Sequence, residues 1–103
     1  MLEEAKKLAK KIVEEYQPEK IILFGSAATG DIRDYSDVDL LVIKKTTDDP
    51  ITRDQKALRL LNPIRSLIPV DLIVCTPEEI AWRSKGGDPF ILGVLEEGKV
   101  LYE

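Results

Sequence analysis

The stretch FGSAATGDIRDYSDVDLLV, residues 24–42, decides the fold of this 103-residue chain. It connects the end of one apolar run, Lys20–Phe24, to the start of a second, Val38–Ile43. The connecting segment is rich in glycine, serine, threonine and aspartate. Short apolar runs bounded by turn residues predict buried strands, and the polar segment between them predicts a loop. Because that loop is only about a dozen residues long, we expect the two strands to be antiparallel.

Helical signals lie on both sides of this stretch. Apolar residues repeat at helical spacing over residues 2–16, and again over residues 57–68, where Pro63 predicts a kink. The sequence Thr76-Pro77-Glu78-Glu79 is a capping box that predicts the start of a helix. Asp88-Pro89 predicts the start of another.

Two further apolar runs, Val70–Cys75 and Val100–Tyr102, predict the remaining strands. The element order predicts an α/β (α+β) fold, a small mixed sheet flanked by helices. Strands Val38–Ile43 and Val70–Cys75 are joined by a long helical crossover, so we expect them to be parallel. Residues 1–103 are predicted to form a single domain.

This topology brings acidic residues to one end of the sheet. Asp37 and Asp39 begin the second strand, Asp71 begins the third, and the turn Gly25-Ser26 ends the first. Side chains at i and i+2 of a strand share a face, and carboxylates held close together repel. A divalent cation relieves that repulsion, and Mg²⁺ prefers oxygen ligands. Three carboxylates could hold two metal ions, as in many phosphoryl-transfer sites.

A simpler interpretation of the same residues stays open. Asp37 and Asp39 could be solvated residues at the start of a strand, and Gly25-Ser26 could be an ordinary turn. Asp71 could lie in water at the end of the sheet. However, a charge inside an apolar run requires a partner or an ion unless it reaches solvent.

The amino-acid composition limits which reactions and partners are plausible for this chain. The chain has no histidine, so catalysis would depend on carboxylates, hydroxyls, lysines or arginines. The single cysteine, Cys75, excludes an internal disulfide and is typical of a reducing cytoplasm, where we expect the protein to act. The net charge of −4 argues against direct nucleic-acid binding. No apolar run approaches the ~20 residues of a membrane span.

Taken together, these residues resemble a known family. Gly25-Ser26, ten intervening residues, Asp37-Val38-Asp39 at the head of a strand and an acid in a later strand are similar to the nucleotidyltransferase superfamily that includes polymerase beta. The stretch 24–42 resembles its minimal nucleotidyltransferase branch, which comprises stand-alone domains of about this length. The resemblance implies a polymerase-beta-like nucleotidyltransferase fold.

The resemblance also implies roles for individual residues. Asp37 and Asp39 match the metal-binding pair, and Asp71 matches the third acid, a metal ligand and possible base. Gly25 and Ser26 match the phosphate-binding turn. Arg33, in the same loop, would add positive charge near a nucleotide. Many members have basic residues around positions 27 and 29, where this chain has alanine and threonine.

For function, the resemblance implies Mg²⁺-dependent transfer of a nucleoside monophosphate, AMP from ATP, to an acceptor hydroxyl. Related domains pair with helical HEPN toxins, which implies an antitoxin that adenylylates a toxin tyrosine. Two alternatives stay open: a non-catalytic antitoxin that acts by binding, and an enzyme that modifies a small molecule such as an aminoglycoside. The sequence leaves self-association to form a homo-oligomer undecided.

The sequence also predicts where four residues outside the candidate site lie in the fold. Tyr16 and Trp82 lie on the apolar stripes of predicted helices, so we expect both in the core. Cys75 ends an apolar strand and is predicted to be a buried small residue. Lys44 follows the second strand at its far end, away from the acids.

Overall fold

The computed structural model describes residues 2–25, 38–62 and 69–103. The helices there are α1 (Leu2–Tyr16), α2 (Pro50–Leu60), α3 (Pro77–Lys85) and α4 (Pro89–Glu97). The strands are β1 (Lys20–Phe24), β2 (Val38–Ile43), β3 (Val70–Cys75) and β4 (Lys99–Tyr102). They form one sheet in the order β3-β2-β1-β4. None of the described helices is long and apolar enough to cross a membrane.

Strand pairing makes the sheet mixed, as the sequence predicts. β1 is antiparallel to β2 and to β4, whereas β2 and β3 are parallel. The parallel pair runs from Val38 opposite Val70 to Ile43 opposite Cys75. Asp39 therefore lies between Phe24 on β1 and Asp71 on β3. The predicted crossover and the predicted neighbourhood of Asp39 and Asp71 are both confirmed.

The sheet separates two apolar clusters, because alternate residues of a strand face opposite sides. The larger cluster packs α1 and α2 against the alternate residues that include Leu23, Leu40 and Leu72. The smaller cluster, which includes Ile22, Leu41 and Val94, faces α3 and α4. By this alternation, Asp39 and Asp71 belong to the smaller cluster's side, in phase with Leu41 and Ile73.

Side-chain caps fix where the helices begin. The Thr76 hydroxyl accepts a hydrogen bond from Glu79 N (3.1 Å), and Glu79 Oε1 accepts one from Thr76 N (2.8 Å), which confirms the capping box of α3. Asp88 caps α4 as predicted. α2 begins at Pro50, capped by Asp49, earlier than the apolar spacing from Ala57 suggests. The predicted kink at Pro63 lies outside the described residues.

The prediction that Trp82 belongs to the core is wrong. Its side chain is 77% exposed, and α3 contains no buried residue. The helix contacts the smaller cluster through Ile80. Residues two positions apart on a helix point about 200° apart, so packing Ile80 against the sheet turns Trp82 towards solvent. Tyr16 packs against the larger cluster and Cys75 is buried, which confirms both predictions.

The outer edge of β3 is covered by side chains from α2. Val74 N donates a hydrogen bond to Asp54 Oδ1 (2.9 Å), and Arg53 Nη1 donates one to Val74 O (3.3 Å). Two consecutive residues of one helix thus satisfy both backbone groups of an edge residue, as a further strand would. This arrangement anchors the strand that carries Asp71.

Arg53 is buried and links three parts of the fold. Its Nε donates to Asp48 O (2.8 Å), and its Nη1 lies 2.6 Å from Glu79 Oε1. Burial opposes ionisation of Glu79, but hydrogen bonds from Thr76 N and the Arg53 guanidinium outweigh it and hold the pKa of Glu79 below its ordinary value. The ion pair ties α2 to the first turn of α3.

We predict that Glu79→Gln removes a pH-dependent part of the stability. Because the pKa of Glu79 is lowered in the folded state, its contribution is present above the unfolded pKa of about 4.3 and is lost as the pH falls. The free energy of unfolding should drop by about 1–2 kcal/mol at pH 7 and by less at about pH 3, where protonation of Glu79 begins to remove its contribution. Urea unfolding at both pH values measures this; equal losses at both would contradict it.

Candidate active site

Because Gly25 has no side chain, its backbone lies directly against the carboxylate of Asp39. Gly25 follows the last residue of β1, is exposed and has φ +77°, a conformation that favours glycine. A Cβ atom at this position would collide with Asp39 Oδ2, at the tip of the neighbouring side chain on β2. Glycine is therefore required both for the turn and for the close approach of the chain to Asp39.

Asp39 and Asp71 form the acidic part of the described site. They are paired in register on adjacent parallel strands and share a sheet face. Asp39 is half-buried between β1 and β3, and Asp71, on the edge strand, is exposed. The structure thus brings together three of the residues predicted for the site, Gly25, Asp39 and Asp71.

The other predicted site residues, Ser26, Arg33 and Asp37, lie outside the described residues. Within residues 2–25, 38–62 and 69–103, no three acidic, histidine or cysteine side chains come together as a metal-binding group. The described acids nevertheless suit a hard divalent cation, because both are oxygen donors at a strand end that opens to solvent. Gly25 leaves space beside Asp39 that a side chain would otherwise fill.

Asp54 is a further acid near this site, and sequence reasoning missed it. Burial, and to a smaller extent the charge of Asp71, raise the pKa of Asp54, against the opposing effects of the Val74 N–H and Arg53. Its carboxylate is engaged with the backbone of β3, so it positions the strand. An acid within an amphipathic helix carries no sequence signal for such a contact.

An aromatic recess adjoins the glycine turn. It has a volume of about 230 Å³, and its lining includes Phe24, Gly25, Phe90 and Gly98. The rings of Phe24 and Phe90 meet edge to face, with centroids 5.4 Å apart and planes at 86°. α4 therefore forms a wall beside the predicted phosphate-binding turn. Phe90 is one of several apolar residues in α4, so the sequence alone does not indicate that it lines this recess.

Comparison with known families agrees with this geometry. The family model described as "Nucleotidyltransferase domain" matches residues 5–102, nearly the whole chain. This chain belongs to the nucleotidyltransferase family. The family resemblance, the fold and the transferase class predicted from the sequence are confirmed.

A relative of this nucleotidyltransferase from Methanocaldococcus jannaschii is provisionally named a protein adenylyltransferase. The two are 40% identical over 86 residues, which is 81% of this chain and 57% of the relative. The chain therefore spans little more than half of that protein. A crystal structure provisionally identified as a nucleotidyltransferase from Sulfolobus solfataricus superposes with a TM-score of 0.62 at 29% identity, over 77% of this chain and 69% of the other.

Two further solved structures share the fold of this nucleotidyltransferase. One is a toxin–antitoxin with AMP-PNP, with a TM-score of 0.61, 24% identity and coverage of 94% of this chain and 72% of the other. The second is a mutant of the toxin–antitoxin MntA–HpeT, with a TM-score of 0.61, 22% identity and coverage of 95% and 71%. At these identities the likeness establishes the fold.

Proposed function

We propose that this nucleotidyltransferase transfers AMP from ATP to a tyrosine hydroxyl of a helical HEPN-type toxin and so acts as its antitoxin. The observation that carries the proposal is the in-register pair Asp39 and Asp71 beside the bare backbone of Gly25. The provisional name of the M. jannaschii relative supports protein adenylylation. The toxin–antitoxin structure with AMP-PNP supports ATP as the nucleotide and a toxin as the partner.

In this proposal Asp37, Asp39 and Asp71 would hold two Mg²⁺ ions through their carboxylate oxygens. When bound, the metal neutralises phosphate charge and makes the α-phosphorus of ATP easier to attack. Ser26 and the backbone amides after Gly25 hold the β- and γ-phosphates, and Arg33 adds positive charge in the same loop. The bare Gly25 lets the triphosphate approach the backbone closely.

The chemical step requires no histidine. The tyrosine oxygen attacks the α-phosphorus, a bond forms between them, and the bond from the α-phosphorus to the bridging oxygen of pyrophosphate breaks. Pyrophosphate leaves with that electron pair. The hydroxyl proton passes to the carboxylate of Asp71, which is exposed and therefore accessible to an acceptor. Catalysis rests on positioning the reactants and stabilising charge.

The acceptor test uses the protein encoded by the adjacent gene as the partner. We expect incubation with ATP and Mg²⁺ to add AMP to that partner, and tandem mass spectrometry to place it on a tyrosine. Replacing that tyrosine with phenylalanine should abolish the modification. Modification of a serine, or of this chain alone, would contradict the proposed acceptor.

The sequence supports one second candidate, an antitoxin that neutralises its partner by binding alone. Ala27 and Thr29 favour it, because a basic residue near a phosphate site normally strengthens nucleotide binding. It predicts a stable complex without AMP on either protein. It also predicts that neutralisation of the toxin survives Asp39→Asn, whereas the catalytic proposal predicts its loss.

A further inference from the structure

The helix α3 leaves a large aromatic side chain uncovered. None of its residues is buried, and Trp82, the one tryptophan of the chain, is 77% exposed. Phe90, at the start of α4, is 40% exposed. A cluster of exposed aromatic side chains is more often an interaction site than a part of the ordinary protein surface.

Trp82 and Phe90 line one open groove at the turn between α3 and α4, with a volume of about 950 Å³. We call it the α3–α4 groove. It also contains Arg83 and Lys85, neither of which forms an ion pair with a residue in the described ranges. The carboxylate of Asp88, which also lines it, accepts hydrogen bonds from the first turn of α4. The groove thus combines apolar walls with two cations and one capping carboxylate, an excess of positive charge in a protein of net charge −4.

The α3–α4 groove adjoins the recess beside the candidate active site, and one residue lines both. Phe90 lines both this groove and the recess beside Gly25. Its ring contacts Phe24, the residue opposite Asp39 in the sheet. Both helices cover the sheet face to which Asp39 and Asp71 belong. A chain bound in the groove would therefore lie on the same side of the sheet as the carboxylates, next to the recess beside Gly25.

We propose that the α3–α4 groove binds an acidic segment of the acceptor protein that carries aromatic or aliphatic side chains. That this acidic segment belongs to the acceptor protein rests on the proposed function, whereas the preference of the groove for an acidic peptide does not. Tryptophan and arginine are prominent at the energetic centres of protein interfaces. Two cationic side chains in a negatively charged protein can bind the few carboxylates of an acidic segment. A nucleic-acid backbone carries many phosphates and needs many charge contacts.

Intrinsic fluorescence provides the test, because Trp82 is the only tryptophan. The probes are a short tyrosine-containing peptide of alternating acidic and apolar residues, the same peptide with lysine at every acidic position, and single-stranded RNA. We expect the acidic peptide to shift Trp82 emission to shorter wavelength and to bind at least about tenfold more tightly than the basic one. Asp39→Asn should bind the acidic peptide as the native chain does.

Charge reversal provides the matched control. Arg83→Glu with Lys85→Glu should reverse the preference between the two peptides. Lys7→Glu with Lys45→Glu, which alters the net charge equally at exposed sites elsewhere, should preserve it. Equal binding of both peptides, an unchanged preference after Arg83 and Lys85 are reversed, or tighter binding of RNA would overturn the proposal. So would an emission shift with protein concentration alone, which would make a second copy the occupant.

The outcomes separate this proposal from the proposed function. Peptide binding that persists in a chain unable to transfer AMP to any partner would refute the catalytic function and leave the docking groove intact. Transfer of AMP to the partner at the native rate in the Arg83 and Lys85 double variant, with no peptide preference in the native chain, would refute the groove and leave catalysis intact.

Discussion

Asp39→Asn should leave the nucleotidyltransferase folded and lower AMP transfer at least about a thousandfold. The amide has the shape of the carboxylate but not its charge, and Asp39 lies at the centre of the site, between Phe24 and Asp71. Loss of this charge should also abolish the stabilisation that ATP gives in the presence of Mg²⁺. The measurements are the rate of AMP transfer and the shift of the thermal midpoint, each with and without Mg²⁺.

Asp71→Asn should have a comparable effect on transfer, because the second carboxylate is paired with the first across the two strands. Glu96→Gln is the matched control, since it removes one exposed carboxylate from α4. That control should retain both activity and the ATP-dependent shift. An Asp39→Asn variant that transfers AMP within about tenfold of the native rate would show that this carboxylate is not a metal ligand.

Gly25→Ala should weaken Mg²⁺-dependent ATP binding by about ten- to a hundredfold, because the new methyl group displaces the Asp39 carboxylate. Its cost in stability should be modest, about 1–2 kcal/mol, from placing a side chain at positive φ. The collision adds little to this cost, because it falls mainly on the tip of a side chain that can rotate away. Isothermal titration with ATP and urea unfolding measure the two effects separately.

Gly87→Ala is the control for that substitution. Gly87 has nearly the same backbone angle, φ +79°, but a Cβ atom there would have no neighbour within 4 Å. It should therefore lose a similar amount of stability while ATP affinity is retained. If both variants lost ATP affinity equally, the contact between Gly25 and Asp39 would not be what the site requires.

The topology around the acids could be predicted because chain connectivity constrains it strongly. Parallel neighbouring strands need a long crossover, which the helical segment between β2 and β3 supplies, and parallel strands of similar length place Asp39 beside Asp71. Strands β1, β2 and β3 were predicted with the boundaries that the structure shows. The metal-binding, phosphate-binding and catalytic roles of the site residues all stay predictions, and Asp37, Ser26 and Arg33 also lie outside the described residues.

Contacts between distant elements could not be predicted in the same way. Arg53 and Asp54 are adjacent charged residues in a helix, a pattern typical of a solvated face, yet they bind the backbone of Val74. Nothing local distinguishes a charged side chain that reaches water from one that reaches an open strand edge. That distinction depends on where α2 packs, which is a property of the whole fold.

Trp82 shows a different limit. An apolar residue in a helix predicts burial only if another element covers its side of the helix. The side of α3 that holds Ile80 packs against the sheet, but the side that holds Trp82 has no cover within the described chain. The departure from the expected pattern is itself informative, because it identifies the α3–α4 groove.

The most direct measurement compares ATP labelled at the α-phosphate with ATP labelled at the γ-phosphate, each incubated with Mg²⁺, this protein and its partner. If the chain transfers AMP, label from the α-position should appear on the partner, with pyrophosphate released in equal amount. Label from the γ-position should not appear, and Asp39→Asn should transfer neither. Transfer of the γ-label would indicate a kinase reaction, and no transfer from either position would contradict catalysis by this site.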